Sequence, residues 1–509
     1  MRIDSRLLVA AAAGLATITV SLLVSAATAP DSNAPGAASP VNWPQFRGPG
    51  ALPVSGNAAL PMSWSQTENV EWVAEIPGVG WSSPIVWGGK VFLTTAVASG
   101  EMKEPSLGTD FSNEYVAELQ RAGVSPEELE KRIYERDMEM PDEVTLSYRL
   151  LCLDLESGEV AWDRELNAGR PPVGRHRKNS FTSETPVTDG EAIYVYVAHL
   201  GLWAYDLDGR KLWHTPLERH QVYLDFGGGT SPALWKDRLF ILNDNEESSF
   251  VAAFDARSGK QIWRRERTGM GVDGRRSGWS TPFVWNNLLR TELVTVGPGW
   301  AISYDLDGNE LWRLPMASAI TIASPFAWEG TLYLSAGAGG GPTRPAAAVR
   351  PGGSGEIALP HDRHPATGQP APETSTDVVL WYDATAGGSY LPTPLVYQDR
   401  LYVLNEKGIL SVYGAKTGRE IYRSRIHREA RNFTASPWAY GDAVFMINEE
   451  GTTFVVAAGD ELEVLGINRL DEFVEATPAL AGDRLLIRTK SRLYSIRQAP
   501  PAPASPSGR

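Results

Sequence analysis

A Ser-Pro or Thr-Pro pair opens an apolar run eight times along this chain, at Pro84, Pro186, Pro232, Pro282, Pro325, Pro394, Pro437 and Pro478. Successive prolines are 102, 46, 50, 43, 69, 43 and 41 residues apart, a base period in the low forties interrupted by two insertions. A period of ~40–45 residues carrying about four short strands is that of a propeller blade, because one small sheet cannot bury both faces alone. The predicted fold class is all-β: an eight-bladed propeller of four-stranded antiparallel blades over residues 42–497. A ring of repeats also accounts for the length, since 509 residues exceed a single core and a propeller adds cores side by side.

Each repeat has the same internal grammar. In the third, 231–235, 238–243, 250–254 and 261–265 read as strands from the inside outward. Between the last two lies the turn from Asp255 to Gly259, with Trp263 four residues past the glycine. The offset recurs as Gly158 to Trp162, Gly209 to Trp213, Gly308 to Trp312 and Gly418 to Tyr422. Glycine supplies the positive φ of a tight turn. An indole at a fixed outer-strand position can wedge between blades, burying ~150–250 Å² with its N–H on a backbone carbonyl. The docking set is Trp72, Trp162, Trp213, Trp263, Trp312, Trp381 and Tyr422. Blade seven matches worst, with Glu463 four residues past Gly459. Blade eight lacks an outer strand, and residues 69–75 carry the matching alternation and tryptophan, so the N-terminus is predicted to close the ring.

The first insertion, residues 98–145, falls between the second and third strands of blade one. Residues 101–143 hold 13 acidic and 5 basic residues, a local −8 out of a net −14. Ser125, Pro126 and Glu128 form a helix-start signature, and a helical hairpin over 112–122 and 126–138 is expected to project with a solvated acidic face. The second insertion, residues 336–377 in blade five, holds seven prolines and eight glycines and is expected not to pack. His361 and His364 within it read as polar loop residues rather than metal ligands.

Residues 1–27 read as a secretory signal: Arg2 and Arg6, an apolar core from Leu7 to Val24, and a small-residue cleavage site at Ser25 to Ala27. Residues 28–41 and 498–509 read as a disordered linker and tail. The expected location is periplasmic or otherwise exported, without a stable membrane span after cleavage. The lone cysteine, Cys152, lies in an apolar strand far from the cleavage site, so the chain is not expected to be a lipoprotein. The acidic balance of 61 Asp and Glu against 47 Lys and Arg argues against nucleic-acid binding.

The repeat grammar resembles that of quinoprotein-type propellers, whose blades carry an A-x-D-x-x-T-G-x-x-x-W docking motif. The stretch from Ala253 to Gly259 with Trp263 comes closest, whereas that from Val412 to Gly418 with Tyr422 has Gly414 in place of the Asp. The opening Trp43-Pro-Gln-Phe-Arg-Gly-Pro49 resembles the start of exported bacterial PQQ-binding-like β-propeller repeat proteins. The chain is also similar to the BamB outer-membrane assembly factors, but it lacks their lipid-attachment cysteine and carries the acidic insertion. PQQ-dependent dehydrogenases of this fold stack the quinone between a Trp and a vicinal disulfide beside a calcium ion. One cysteine cannot make that disulfide.

Propeller ligands meet the face where the outer strand of one blade loops to the inner strand of the next. Those loops hold the candidates Trp81, Arg175, His176, Lys178, Asn179, Asp225, Arg275, Trp279, Arg431, Asn432 and Glu475. Converging on one funnel, the cations and indoles would suit a planar anion. The runs at Asp206 and Asp305 fail as calcium loops, since position twelve is Leu217 and Met316. No hydrolase, zincin or Walker motif occurs, and no catalytic or metal-binding residue is singled out. The expected function is a noncatalytic exported scaffold for other envelope proteins, with no cofactor. The alternatives are a PQQ- and calcium-dependent alcohol or sugar dehydrogenase, or a glycan or small-anion binding module.

Overall fold

Proline has no N–H to give a ladder and is at home just ahead of a strand. In all eight repeats the innermost strand begins one residue after the Ser/Thr-Pro proline, from Ile85–Trp87 in blade one to Ala479–Ala481 in blade eight. The computed structural model describes residues 41–499 except 58, 108–111, 138–140, 142, 273, 339–342, 360–376 and 386. Each innermost strand starts an antiparallel sheet of four, and the eight sheets form the blades of a propeller. The middle strands carry the core: Ala192–Val197 and Ala443–Ile447 are buried at every position. Outer strands such as Lys211–Pro216 alternate between exposed and half-buried residues, as the rim of a ring requires.

The missing strand of blade eight comes from the N-terminus. Val70–Glu75 pairs antiparallel with Arg492–Arg497, with Trp72 opposite Ser495. Every outer strand skips one residue just before its docking position, a β-bulge at the same place in all eight blades. The bulge corrects the reading of blade seven: Val455 pairs with Gly466, so Gly466 holds the docking position, not Glu463. The cause is a turn one residue longer than usual. Ala457 N–H bonds Glu463 O, where Asp255 N–H bonds Lys260 O.

The indoles link each blade to the next. Trp72, Trp162, Trp213, Trp263 and Trp381 donate to the carbonyls of Leu155, Leu207, Ala256, Leu306 and Ala415, at 2.7–3.1 Å. Each ring lies on the turn glycine of that following blade: a Cβ on Gly158, Gly209, Gly259, Gly308 or Gly418 would sit 2.4–2.8 Å from it. Those glycines also have φ of +64° to +81°, so the turn and the indole both require them. Trp312 differs, because its N–H turns to the buried Glu292 carboxylate at 2.7 Å.

Ahead of its strand, the N-terminal segment crosses the axis. Trp43 pairs with Val86 of blade one, and Pro44 O accepts from Thr188 of blade two. Arg47, fully buried, donates to Ala51 O, Thr393 O and Pro394 O across to blade six. Val54–Ser55 adds a parallel strand to blade seven, and Asn57 reaches Gly482 O in blade eight. The segment therefore plugs one end of the channel. Trp43, which lies outside the repeat grammar, is only 1% exposed.

Both insertions differ from expectation. The helices form, α1 at Asn113–Arg121 capped by Ser112 and α2 at Pro126–Asp137 started by Ser125. They do not simply project: α2 lies against the loops of the opposite face, where Glu130 Oε2 accepts from Tyr223 OH at 3.1 Å and Tyr134 meets the Phe226 ring edge-on at 4.9 Å. Two nine-residue strands, Lys90–Ala98 and Leu146–Asp154, carry the hairpin to that level, and an aromatic helix face finds an aromatic wall. In the second insertion, Ala346–Val349 is the fully buried third strand of blade five. Gly355–Glu356 adds to the edge of blade four, and Ile357, Ala358 and Leu359 are buried. Among the described residues of this insertion, Pro345, Pro351, Gly352 and Gly353 flank the apolar runs that pack. His361 and His364 lie outside the described residues.

A candidate ligand cavity on the propeller axis

The hydroxyls of the repeat signature meet at the axis. Ser83 N–H donates to Thr185 Oγ1, and the pattern passes from blade to blade through Ser231, Thr281, Ser324, Thr393 and Ser436 to Thr477, at 2.9–3.1 Å per link. A strand start leaves this N–H without a ladder partner, and the neighbouring blade's hydroxyl supplies the acceptor. That is why a hydroxyl precedes each proline. Seven of the eight possible links form, and among the described residues the one from Thr477 back to Ser83 does not.

The girdle lines a cavity of about 430 Å³. Phe46 of the N-terminal plug lines it at one end, and Tyr134 of α2 lines it at the loop face. Trp81, Phe226, Trp279 and Tyr390 add further aromatic surface.

Of the eleven sequence candidates, Trp81, His176, Lys178, Asn179, Trp279 and Glu475 line this cavity. Most of their polar atoms hold the frame. Trp81 Nε1 donates to Lys178 O and Trp279 Nε1 to Gly227 O, both at 2.8 Å. Asn179 Nδ2 donates to Phe226 O and Gly228 O. Lys178 Nζ lies 3.0 and 2.9 Å from the two oxygens of Glu449, which is fully buried and also accepts from Thr434 Oγ1. Burial, reinforced by Arg177, Lys178 and Arg175, pushes the His176 imidazole down to about 3 and keeps it neutral.

The other five candidates are held elsewhere. Arg175 turns to the carbonyls of Lys103, His176, Arg177 and Asn179. Asp225 accepts from Gly174 N–H. Arg275 faces Glu130 at 3.7 Å and stacks over Tyr223, while Arg431 and Asn432 both bind Glu450. The cationic funnel inferred from loop composition does not assemble, because backbone carbonyls and the carboxylates of Glu130, Glu449 and Glu450 take up those charges.

Glu475 behaves differently. Its carboxyl makes no hydrogen bond or ion pair among the described residues, and its Oε1 is fully buried. Burial first, then the Glu449 charge, hold its proton affinity well above the usual carboxylate range, against Lys178, Arg177 and Arg175. Tyr134, Phe226, Tyr390 and Glu449 were missed by sequence reasoning. Phe46 alone carried a signal, through its place in the opening Trp43 to Pro49 run.

The family described as outer membrane protein assembly factor BamB matches residues 143–289 and 247–499. Among solved structures, the quinohemoprotein alcohol dehydrogenase of Comamonas testosteroni is 12% identical, covering 94% of this chain and 83% of its own, with a TM-score of 0.56. Quinohemoprotein alcohol dehydrogenase ADHIIG of Pseudomonas putida HK5 is also 12% identical, covering 93% and 82%, with a TM-score of 0.52. BamB of Moraxella catarrhalis is 12% identical over 70% of this chain and 81% of its own, with a TM-score of 0.36. At that identity the dehydrogenase likenesses are of fold alone. No curated protein matches.

Proposed function

We propose that this chain, which belongs to the family described as outer membrane protein assembly factor BamB, is an exported, noncatalytic propeller that holds a small organic ligand in its axial cavity and presents its loop face to other envelope proteins. The observation that carries this reading is a cavity of about 430 Å³ lined by three separate parts of the chain: the hydroxyl girdle, the N-terminal plug and α2. That volume and its aromatic lining suit a ligand of modest size. Export rests on the leader-like residues 1–27. Titration of the purified protein with a small-molecule panel, followed by tryptophan fluorescence through Trp81 and Trp279, should find ligands that Trp279→Ala no longer binds. A panel without a binder, or binding that Trp279→Ala leaves intact, would remove the axial site.

The residues present do not fit a quinone with calcium. PQQ bears several carboxylates, whereas Arg175 is held by backbone carbonyls, Arg275 by Glu130, Arg431 by Glu450 and Lys178 by Glu449. A calcium ion needs several oxygen ligands, and no group of three His, Cys, Asp or Glu that could hold a metal occurs among the described residues. Dye reduction with PQQ, calcium and a panel of alcohols and aldoses should stay at the free-quinone background.

A further inference from the structure

The donors and acceptors around the cavity sort unevenly. The indole N–H groups of Trp81 and Trp279, the Asn179 amide and the Lys178 ammonium are engaged by the protein's own carbonyls and by Glu449. Arg177 Nη1 lies 3.3 Å from His176 Nε2. Among the described residues, what faces the space without an ion-pair partner is a carboxyl, that of Glu475, set among aromatic rings. The Lys178 ammonium is paired with Glu449 and, with Arg177 and Arg175, acts on Glu475 only through its field. A ligand that supplied only hydrogen-bond acceptors would leave Glu475 without a donor, whereas a cation would be met by a carboxylate and by ring faces that attract positive charge.

We infer that the ligand of the axial cavity is a small organic ammonium, its cationic nitrogen at the Glu475 carboxylate and its apolar body against Trp81 and the other aromatic walls. This rests on the axial-cavity reading above and adds the charge class of the ligand. The groups that face Glu475 set the protonic consequence. Burial and Glu449 favour the neutral acid in the empty cavity, and Lys178, Arg177 and Arg175 oppose them. A bound ammonium adds a cation at contact distance and favours the carboxylate, so binding and loss of the proton held by Glu475 reinforce each other.

The test is isothermal titration with three probes of one shape: benzylammonium, neutral benzyl alcohol and anionic benzoate, at pH 7 in buffers of different ionisation enthalpy. Benzylammonium should bind tightest and release a proton. Glu475→Gln, which keeps shape and hydrogen-bonding capacity, should weaken it roughly tenfold or more, abolish the proton release and leave benzyl alcohol unchanged. Equal binding of benzylammonium and benzyl alcohol, preference for benzoate, or an unaltered Glu475→Gln variant would overturn the ammonium assignment while the axial site stands. No binding by any probe, at concentrations where the fluorescence panel also finds none, would overturn both.

Discussion

The junction between blades two and three and the junction between blades seven and eight do the same mechanical work with different parts. At the first, Trp213 of one repeat lies on Gly259 of the next and bonds Ala256 O, about forty residues along the chain. At the second, the docking position is Gly466 and has no indole to offer. Trp64 of the N-terminal segment comes in instead, stacking on Phe445 at 6.0 Å with its backbone N–H on Asn468 Oδ1. It shares an apolar cluster with Leu480, Leu485 and Leu486 of blade eight. A ring of identical joints has no defined last joint. Here the last one is made by a segment some 400 residues away in sequence, so its loop-closure entropy is met only once the other blades stand.

The largest effect is expected from removing the imported parts. Deleting residues 42–76 takes away the outer strand of blade eight, Trp64, the plug and Trp72, and exposes Leu485 and Ile496, which are fully buried in the intact ring. Cooperative unfolding in calorimetry should be lost. An unchanged melting temperature would mean that the repeats close the ring unaided.

Next come two tryptophans, one from each class. Trp263→Ala and Trp43→Ala should each cost ~3–5 kcal/mol, as expected for emptying a large buried site. Trp43 is 1% exposed and Trp263 8% exposed, so the plug residue is not the cheaper of the two. Urea melts in which Trp43→Ala costs under about 1 kcal/mol would demote the plug to a surface strand.

Glycine substitutions should give a smaller and signed contrast. Gly259→Ala places a methyl 2.4 Å from the Trp213 ring at φ +69°, and should destabilise by at least ~1–2 kcal/mol. Gly459→Ala meets nothing within 4 Å and should be neutral or stabilise by up to ~1 kcal/mol. Equal effects in chemical denaturation would mean that the two turns are not distinguished by docking. Smallest of all, Tyr422→Phe removes a buried hydroxyl that has no partner among the described residues, and should shift stability by under about 0.5 kcal/mol or raise it slightly. A clear loss would reveal a hydrogen bond from blade six to blade seven.

Blade number, strand order and closure by residues 69–75 were legible because each is written as a period or as the gap in one. A period-two strand or a fixed Gly-to-Trp offset is local, and the backbone responds to it locally. The Gly466 position was not legible: a one-residue longer turn shifts the docking position without changing the residue types around it. The fold-back of α2 was not legible either. Its acidic composition reads as a solvated face, and the contacts that hold it, Glu130 with Tyr223 and Tyr134 with Phe226, join residues about ninety apart.

The cavity divides along the same line. Sequence alone determined that eight hydroxyls would recur at strand starts and that Trp81, Lys178, Trp279 and Glu475 would lie on loops of one face, because both follow from position within a repeat. Only the tertiary structure decided which of those groups stay available, since that depends on partners supplied by other blades. Glu449 takes Lys178, Glu130 takes Arg275 and backbone carbonyls take Arg175, whereas among the described residues the Glu475 carboxyl makes no hydrogen bond or ion pair.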